Sequence, residues 1–271
     1  MIEKKILTVV LLLVLLLPPV IADEDSESFV DRGVQLKNRA LSVIMVVGVI
    51  VSALVVLAIV SQRKLHNRKW LFFLAITLPI IFATLFTAGT TIYLNTISTT
   101  KGPVHWHADF EIWNCGEKVE LIDPKGLSNR VGTPVFHEHN DNRIHVEGVV
   151  LHPEDAALGL FFKVVGGTLI TEELGVPTNE ELVSAKNGEL CNGKSGKVQV
   201  FVYQVLNPHE QGNWEYKQEK IENFSEYVLS PYSQVLPGDC IIIEFDQEKE
   251  KTEKLCTTYK VAEQRGELHG R

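Results

Sequence analysis

Two apolar stretches, residues 40–61 and 70–94, constrain this chain more than anything else in it, because neither contains a charged side chain. A helix of about 20 apolar residues crosses roughly 30 Å of hydrocarbon, and both stretches are long enough. In lipid the backbone must satisfy its own hydrogen bonds, so each is predicted to be a transmembrane helix. Residues 62–69 between them carry Arg63, Lys64, Arg68 and Lys69, and an excess of positive charge places such a loop in the cytoplasm. Further upstream, Lys4 and Lys5 precede an apolar run, and Ala22 stands just ahead of the acidic Asp23. That order predicts a signal peptide over 1–22, with an uncleaved first span as the alternative. The expected protein is a multi-pass cell-membrane protein whose C-terminal part lies outside the cytoplasm.

Residues 101–262 are long enough to form one extracytoplasmic domain with its own core. The net charge of −8 and the lack of a dense basic patch argue against a nucleic-acid partner. The expected partners are the membrane and a metal ion, and the sequence names no protein partner. The four cysteines, Cys115, Cys191, Cys240 and Cys256, suit a compartment that permits disulfides. Three connectivities are open. Cys115 with Cys191 and Cys240 with Cys256 is favoured, because the second pair flanks a strand-turn-strand pattern.

Alternation of apolar and polar residues predicts a strand over 104–113 and a returning strand over 118–122. Short extended pieces follow at 135–139 and 143–150, around the polar turn 140–142. Pro153 and the acidic residues after it open a helix over 154–165 that Gly166 and Gly167 stop. A shorter helix is expected over 178–186, and strands over 196–206, 233–235, 240–245 and 255–261, with 247–254 as a solvated hairpin loop. The fold class is therefore α+β, a mixed sheet with one main helix, arranged like a β-grasp. Trp106 and Trp113 occupy strand positions and are expected to pack, and His152 before Pro153 is expected to cap the helix. Asn223-Phe224-Ser225 is a formal glycosylation sequon.

Six of the nine histidines lie between positions 105 and 152, and five of them form tight groups: His105 with His107, His137 with His139, and His145 two residues before Glu147. Residues two apart in a strand share a face, so each group can present two donors to one side of a sheet. Neutral imidazole suits zinc or copper(II), and a carboxylate can complete the shell. The candidate metal ligands are His105, His107, His137, His139, His145 and Glu147, with Asp109 and Glu138 as further carboxylates near them. Met1 and Met45 are the only methionines, so copper(I) has no thioether array here.

The run His137-Glu138-His139-Asn140-Asp141, then Ile144-His145-Val146-Glu147, then Leu158-Gly159-Leu160-Phe161-Phe162-Lys163, resembles a little-characterised His-rich domain of membrane-anchored or secreted archaeal and bacterial proteins. The resemblance is clear over 104–167 and looser beyond, and it implies fold and location more than activity. In this chain Asn140 stands between His139 and Asp141, which puts the acidic residue one position later than in the family's pattern.

The leading expectation is a membrane-anchored, extracytoplasmic domain that binds a divalent transition metal for sensing, storage or delivery. A metal-dependent hydrolase or oxidoreductase, with Glu138 or Glu147 as base, is the alternative, although no His-Glu-x-x-His motif or nucleophile elbow is present. A structural or partner-binding module built on a His/carboxylate hydrogen-bond network is the third.

Overall fold

The computed structural model describes residues 29–60 and 69–271. The expected signal peptide over 1–22 and the basic loop over 62–69, apart from Lys69, lie outside the described residues. Contacts divide the chain into two compact units, 1–97 and Ser98–Arg271.

In the first unit, α1 (Phe29–Val60) and α2 (Lys69–Ile97) are long and apolar enough to cross a membrane. Met45, Val49, Phe73 and Leu85 stand 65–69% exposed on them, a surface that water disfavours and hydrocarbon matches. Helix α1 begins well before residue 40, because helical hydrogen bonding propagates through polar residues once a turn has formed. Pro79 lies inside α2, and Thr84 and Thr87 each donate a hydroxyl to the carbonyl four residues back, an arrangement lipid-embedded helices tolerate.

The second unit is α+β. Its strands are β1 (Pro103–Asn114), β2 (Glu117–Val119), β3 (Val131–Gly132), β4 (Phe136–Glu138), β5 (Arg143–Val149), β6 (Thr168–Ile170), β7 (Glu173–Pro177), β8 (Leu182–Lys186), β9 (Leu190–Cys191), β10 (Lys194–Ser195), β11 (Lys197–Val205), β12 (Trp214–Ile221), β13 (Cys240–Asp246) and β14 (Leu268–Gly270). Its helices are α3 (Leu158–Val164) and α4 (Thr257–Gln264). A nine-stranded sheet runs β14-β12-β11-β13-β1-β5-β4-β3, with β2 also paired to β1. Pairs β1–β13 and β12–β14 are parallel, so the sheet is mixed. Strands β6, β7 and β8 form a separate small antiparallel sheet.

Strand alternation gives each face of the main sheet its own core. On one face Phe110, Ile112, Ile241 and Ile243 meet Phe161 and Phe162 of α3. On the other, Phe201, Tyr203 and Ile242 meet Tyr259 and Ala262 of α4. Trp106 packs against the first cluster and Trp113 against the second, where Lys254 Nζ lies 4.1 Å from its ring centre.

Five expectations need correction. The helix expected over 154–165 is a 3-10 turn (Pro153–Ala156) followed by α3, because Ala157 is extended and bridges to Val228. Asp155 Oδ2 accepts the backbone N–H of His152 at the start of that turn. Residues 178–186 form no helix: the Thr178 hydroxyl accepts the N–H groups of Glu180 and Glu181 in a single turn, and the chain then pairs with β7 as β8. No strand forms over 233–235, which is bend and turn. Residues 255–261 lead into α4 rather than a strand, since buried Leu255, Tyr259 and Ala262 fall at helical spacing. The stretch 247–254 therefore joins a strand to a helix, and it is partly held inside, with Thr252 Oγ1 donating to buried Glu244.

The disulfides are Cys115–Cys191 and Cys240–Cys256. The second ties β13 to the start of α4. By loop-closure entropy a cross-link over 16 residues contributes about 3 kcal/mol. A Cys240→Ala, Cys256→Ala double variant is expected to lose about that much in urea unfolding; an unchanged midpoint would contradict the assignment.

Candidate metal centre

The site follows from the register of three neighbouring strands. Strand β5 pairs antiparallel with β1, setting His105 opposite Glu147, His107 opposite His145, and Asp109 opposite Arg143. It pairs on its other edge with β4, setting His137 opposite His145. Directly opposed residues share a face, so His107, His145 and His137 stand in a row across the sheet. On the reverse face the same register opposes Trp106 and Val146, Ala108 and Ile144, Phe136 and Val146. Those apolar pairs belong to the core against α3, and a slip of one residue would exchange core and histidines. The hydrophobic face thus holds the histidine face in place.

His139 joins the row from just past the end of β4. Its ring centre lies 4.6 Å from that of His137 and 4.8 Å from that of His145. The His107 ring lies 4.6 Å from His145 and 4.5 Å from His105. Two groups of three emerge, His105, His107, His145 and His137, His139, His145, and within each the donor nitrogens lie within 4.8 Å of one another. His137 Nε2 and His139 Nε2 are 3.1 Å apart, near the edge of about 3.3 Å that a tetrahedron with 2.0–2.1 Å zinc–nitrogen bonds would have. Either group could hold a metal ion.

Oxygen acceptors orient the rings. His107 Nδ1 lies 2.6 Å from the Ser233 carbonyl and His139 Nδ1 contacts the Asn129 carbonyl, so in both rings Nδ1 carries the proton and Nε2 the lone pair. Close packing fixes the Ser233 segment against β1: a Cβ on Gly238 would come within 2.3 Å of the His107 carbonyl. His145 Nε2 meets Asp141 Oδ2 at 3.2 Å, and His105 Nε2 meets Glu147 Oε1 at 3.0 Å. Carbonyl or carboxylate acceptors on the far nitrogen are what metal-ligating histidines commonly have. Three further ring nitrogens, His107 Nε2, His137 Nδ1 and His145 Nδ1, are buried without a hydrogen-bond partner.

Burial pushes His137 down to about 4, helped by the neighbouring His139, and lowers His107 as well, with the Ser233 bond opposing. Both rings are therefore neutral near pH 7, the form that ligates a metal. Burial alone would raise the Asp141 carboxyl, but its bond to His145 and the nearby Arg143 outweigh this and hold it below the usual range. It is therefore ionised and accepts from His145.

Each sequence candidate has a place. The five histidines are brought onto one face, from fully buried His137 to exposed His105. Glu147 stands beside His105 at the outer edge. Asp109 pairs with Arg143 at 2.7 Å, and Glu138 Oε1 accepts the backbone N–H groups of Asp141 and Asn142, so both carboxylates are taken up by structural bonds. Asp141 is a partner to which the histidine spacing does not point. Asn140 and Asn142 hold positive φ of 65° and 55°, a conformation Asn tolerates, and the turn they make returns Asp141 to His145. The equal arms of the β4–β5 hairpin about residue 141 are the signal that could have located it. The Ser233 and Asn129 contributions are backbone carbonyls, which no side-chain motif reports.

No family model, curated protein or solved structure matches this chain.

Proposed function

We propose that this protein is a membrane-anchored, extracytoplasmic domain that binds a divalent transition metal, zinc or copper(II), at its histidine face, for sensing, storage or delivery. The observation that carries this is the pair of three-histidine groups whose donor nitrogens lie within 4.8 Å of one another, with His107 Nε2 and His145 Nδ1 buried there without a hydrogen-bond partner. A buried polar atom without a partner costs about 1–3 kcal/mol, and a hydrogen-bond network built for its own sake would have satisfied them. A metal ion supplies the missing acceptor of lone pairs. The oxygen contacts on the far nitrogens support the same reading.

An outward orientation is supported by two disulfides and by the basic residues between the two apolar helices. A cleaved leader over 1–22 and kinship with the His-rich archaeal and bacterial domain complete the reading. A β-grasp-like description is supported by the parallel central pair β1–β13, flanked by antiparallel β5 and β11, with α3 across one face. The enzyme alternative had Glu138 or Glu147 as base. Since Glu138 binds two backbone N–H groups, that alternative rests on Glu147, which pairs with His105.

Elemental analysis of the full chain in detergent tests the proposal. Wild type is expected to retain zinc or copper after gel filtration and a His137→Ala, His139→Ala variant to retain less; equal content in both would overturn it. Asp141→Asn keeps the shape but weakens the acceptor of the His145 N–H, and is expected to lower metal affinity 10–100-fold in competition titrations. An unchanged affinity would remove Asp141 from the site.

A further inference from the structure

We propose that the histidine face is a two-ion centre in which the His145 imidazole bridges the ions, a deepening that rests on the metal-binding reading above. The two groups of donors, His105 with His107 and His137 with His139, have only His145 in common. Strand β5 lies between β1 and β4 in the sheet, so His145 has the first pair on one side and the second on the other. Its ring centre is 4.6 Å from that of His107 and 4.8 Å from that of His139, near equal distances in the two directions.

An imidazole has two ring nitrogens, each able to ligate a metal. If His145 served one group only, the other would keep two histidines and a carboxylate, one donor short of the closed four-coordinate shell of a structural zinc site. Offering one nitrogen to each side, it gives both groups three nitrogen donors. Each group also has a carboxylate within reach of a histidine: Glu147 Oε1 lies 3.0 Å from His105 Nε2, and Asp141 Oδ2 lies 3.2 Å from His145 Nε2. Three nitrogens and one oxygen make four donors on either side, the coordination number that zinc prefers. The chemistry balances simply. The first ion binds a neutral His145 ring through its lone pair. The second ion takes the place of the remaining ring proton, which leaves to solvent, and displaces Asp141 from its hydrogen bond toward coordination. Two divalent ions then face four neutral imidazoles, two carboxylates and one imidazolate, leaving little net charge on the face.

The test uses the full chain in detergent. Zinc stoichiometry is measured on wild type, on His105→Ala, His107→Ala, and on His137→Ala, His139→Ala, with circular dichroism confirming that each is folded. The expected result is two ions per chain in wild type and one in each double variant. Copper(II) electron paramagnetic resonance needs no variant: an imidazolate bridge couples the two spins, so the signal at two equivalents should fall below that at one. One zinc ion in wild type and one in each variant would overturn the bridge, since the groups then compete for His145, while metal binding itself would stand. Two ions with a copper signal that doubles would also overturn it, as two independent sites. No bound ion at all would overturn the metal reading beneath it.

Discussion

Zinc present at a thousand times its dissociation constant is expected to stabilise the wild-type sheet domain by about 4.1 kcal/mol for a single site, and to stabilise a His145→Ala variant far less. The reason is linkage: an ion that needs neighbouring strands in register binds the folded state and has no equivalent in the unfolded chain. His145 is the residue to remove because it belongs to both donor groups, whereas His105, His107, His137 and His139 each belong to one. Its ring is buried, so the variant is also expected to be somewhat altered in the absence of metal; the quantity to compare is the increment on adding zinc. Chemical unfolding in detergent, followed by tryptophan fluorescence, reports mainly on this domain, which holds three of the four tryptophans, Trp106, Trp113 and Trp214. An equal increment in both proteins would place the ion elsewhere.

A Phe161→Ala substitution is expected to cost about 3–5 kcal/mol in the same assay without metal. Phe161 is fully buried, and its ring meets Phe110 on β1 and Phe136 on β4 at 5.5 Å each, with Phe162 at 5.7 Å. The side chain therefore joins α3 to two of the three strands whose opposite face carries the histidines. Truncation leaves a cavity the sheet cannot close without shifting the register pairs that hold the donors. Loss of stability should be accompanied by weaker metal binding, although Phe161 lies on the other side of the sheet. A loss below about 1 kcal/mol would mean that the core collapses around the gap and that the histidine row does not depend on it.

Much of this was legible from the chain itself. Charge-free runs of more than twenty residues have few forms in which to satisfy their backbone, so the two long helices followed from composition. Strict alternation over 104–113 separated an apolar face from one bearing His105, His107 and Asp109. Local patterns misled where a short signal competed with tertiary contact. Thr178 followed by acidic residues caps a turn, but pairing with β7 drew the next residues into a strand. Leu255 to Val261 alternates well enough for a strand, yet its 255, 259, 262 stripe faces a core that only a helix could fill. Strand β12 has no clear signature in the sequence because its charged residues lower its apolar signal, although it pairs with β11.

The histidine site divides along the same line. The sequence by itself determined which residues share a face, because a strand's side chains alternate whatever it pairs with. It also determined the donor chemistry, through residue type. The tertiary structure alone decided that β5 lies between β1 and β4 and that His107, His145 and His137 stand opposite one another. That register is chosen by apolar pairs such as Trp106 with Val146 on the reverse face, a long-range match that no local pattern encodes. It also decided which oxygens orient the rings, since carbonyls such as those of Ser233 and Asn129 have no side-chain identity to read and act only through where the backbone passes.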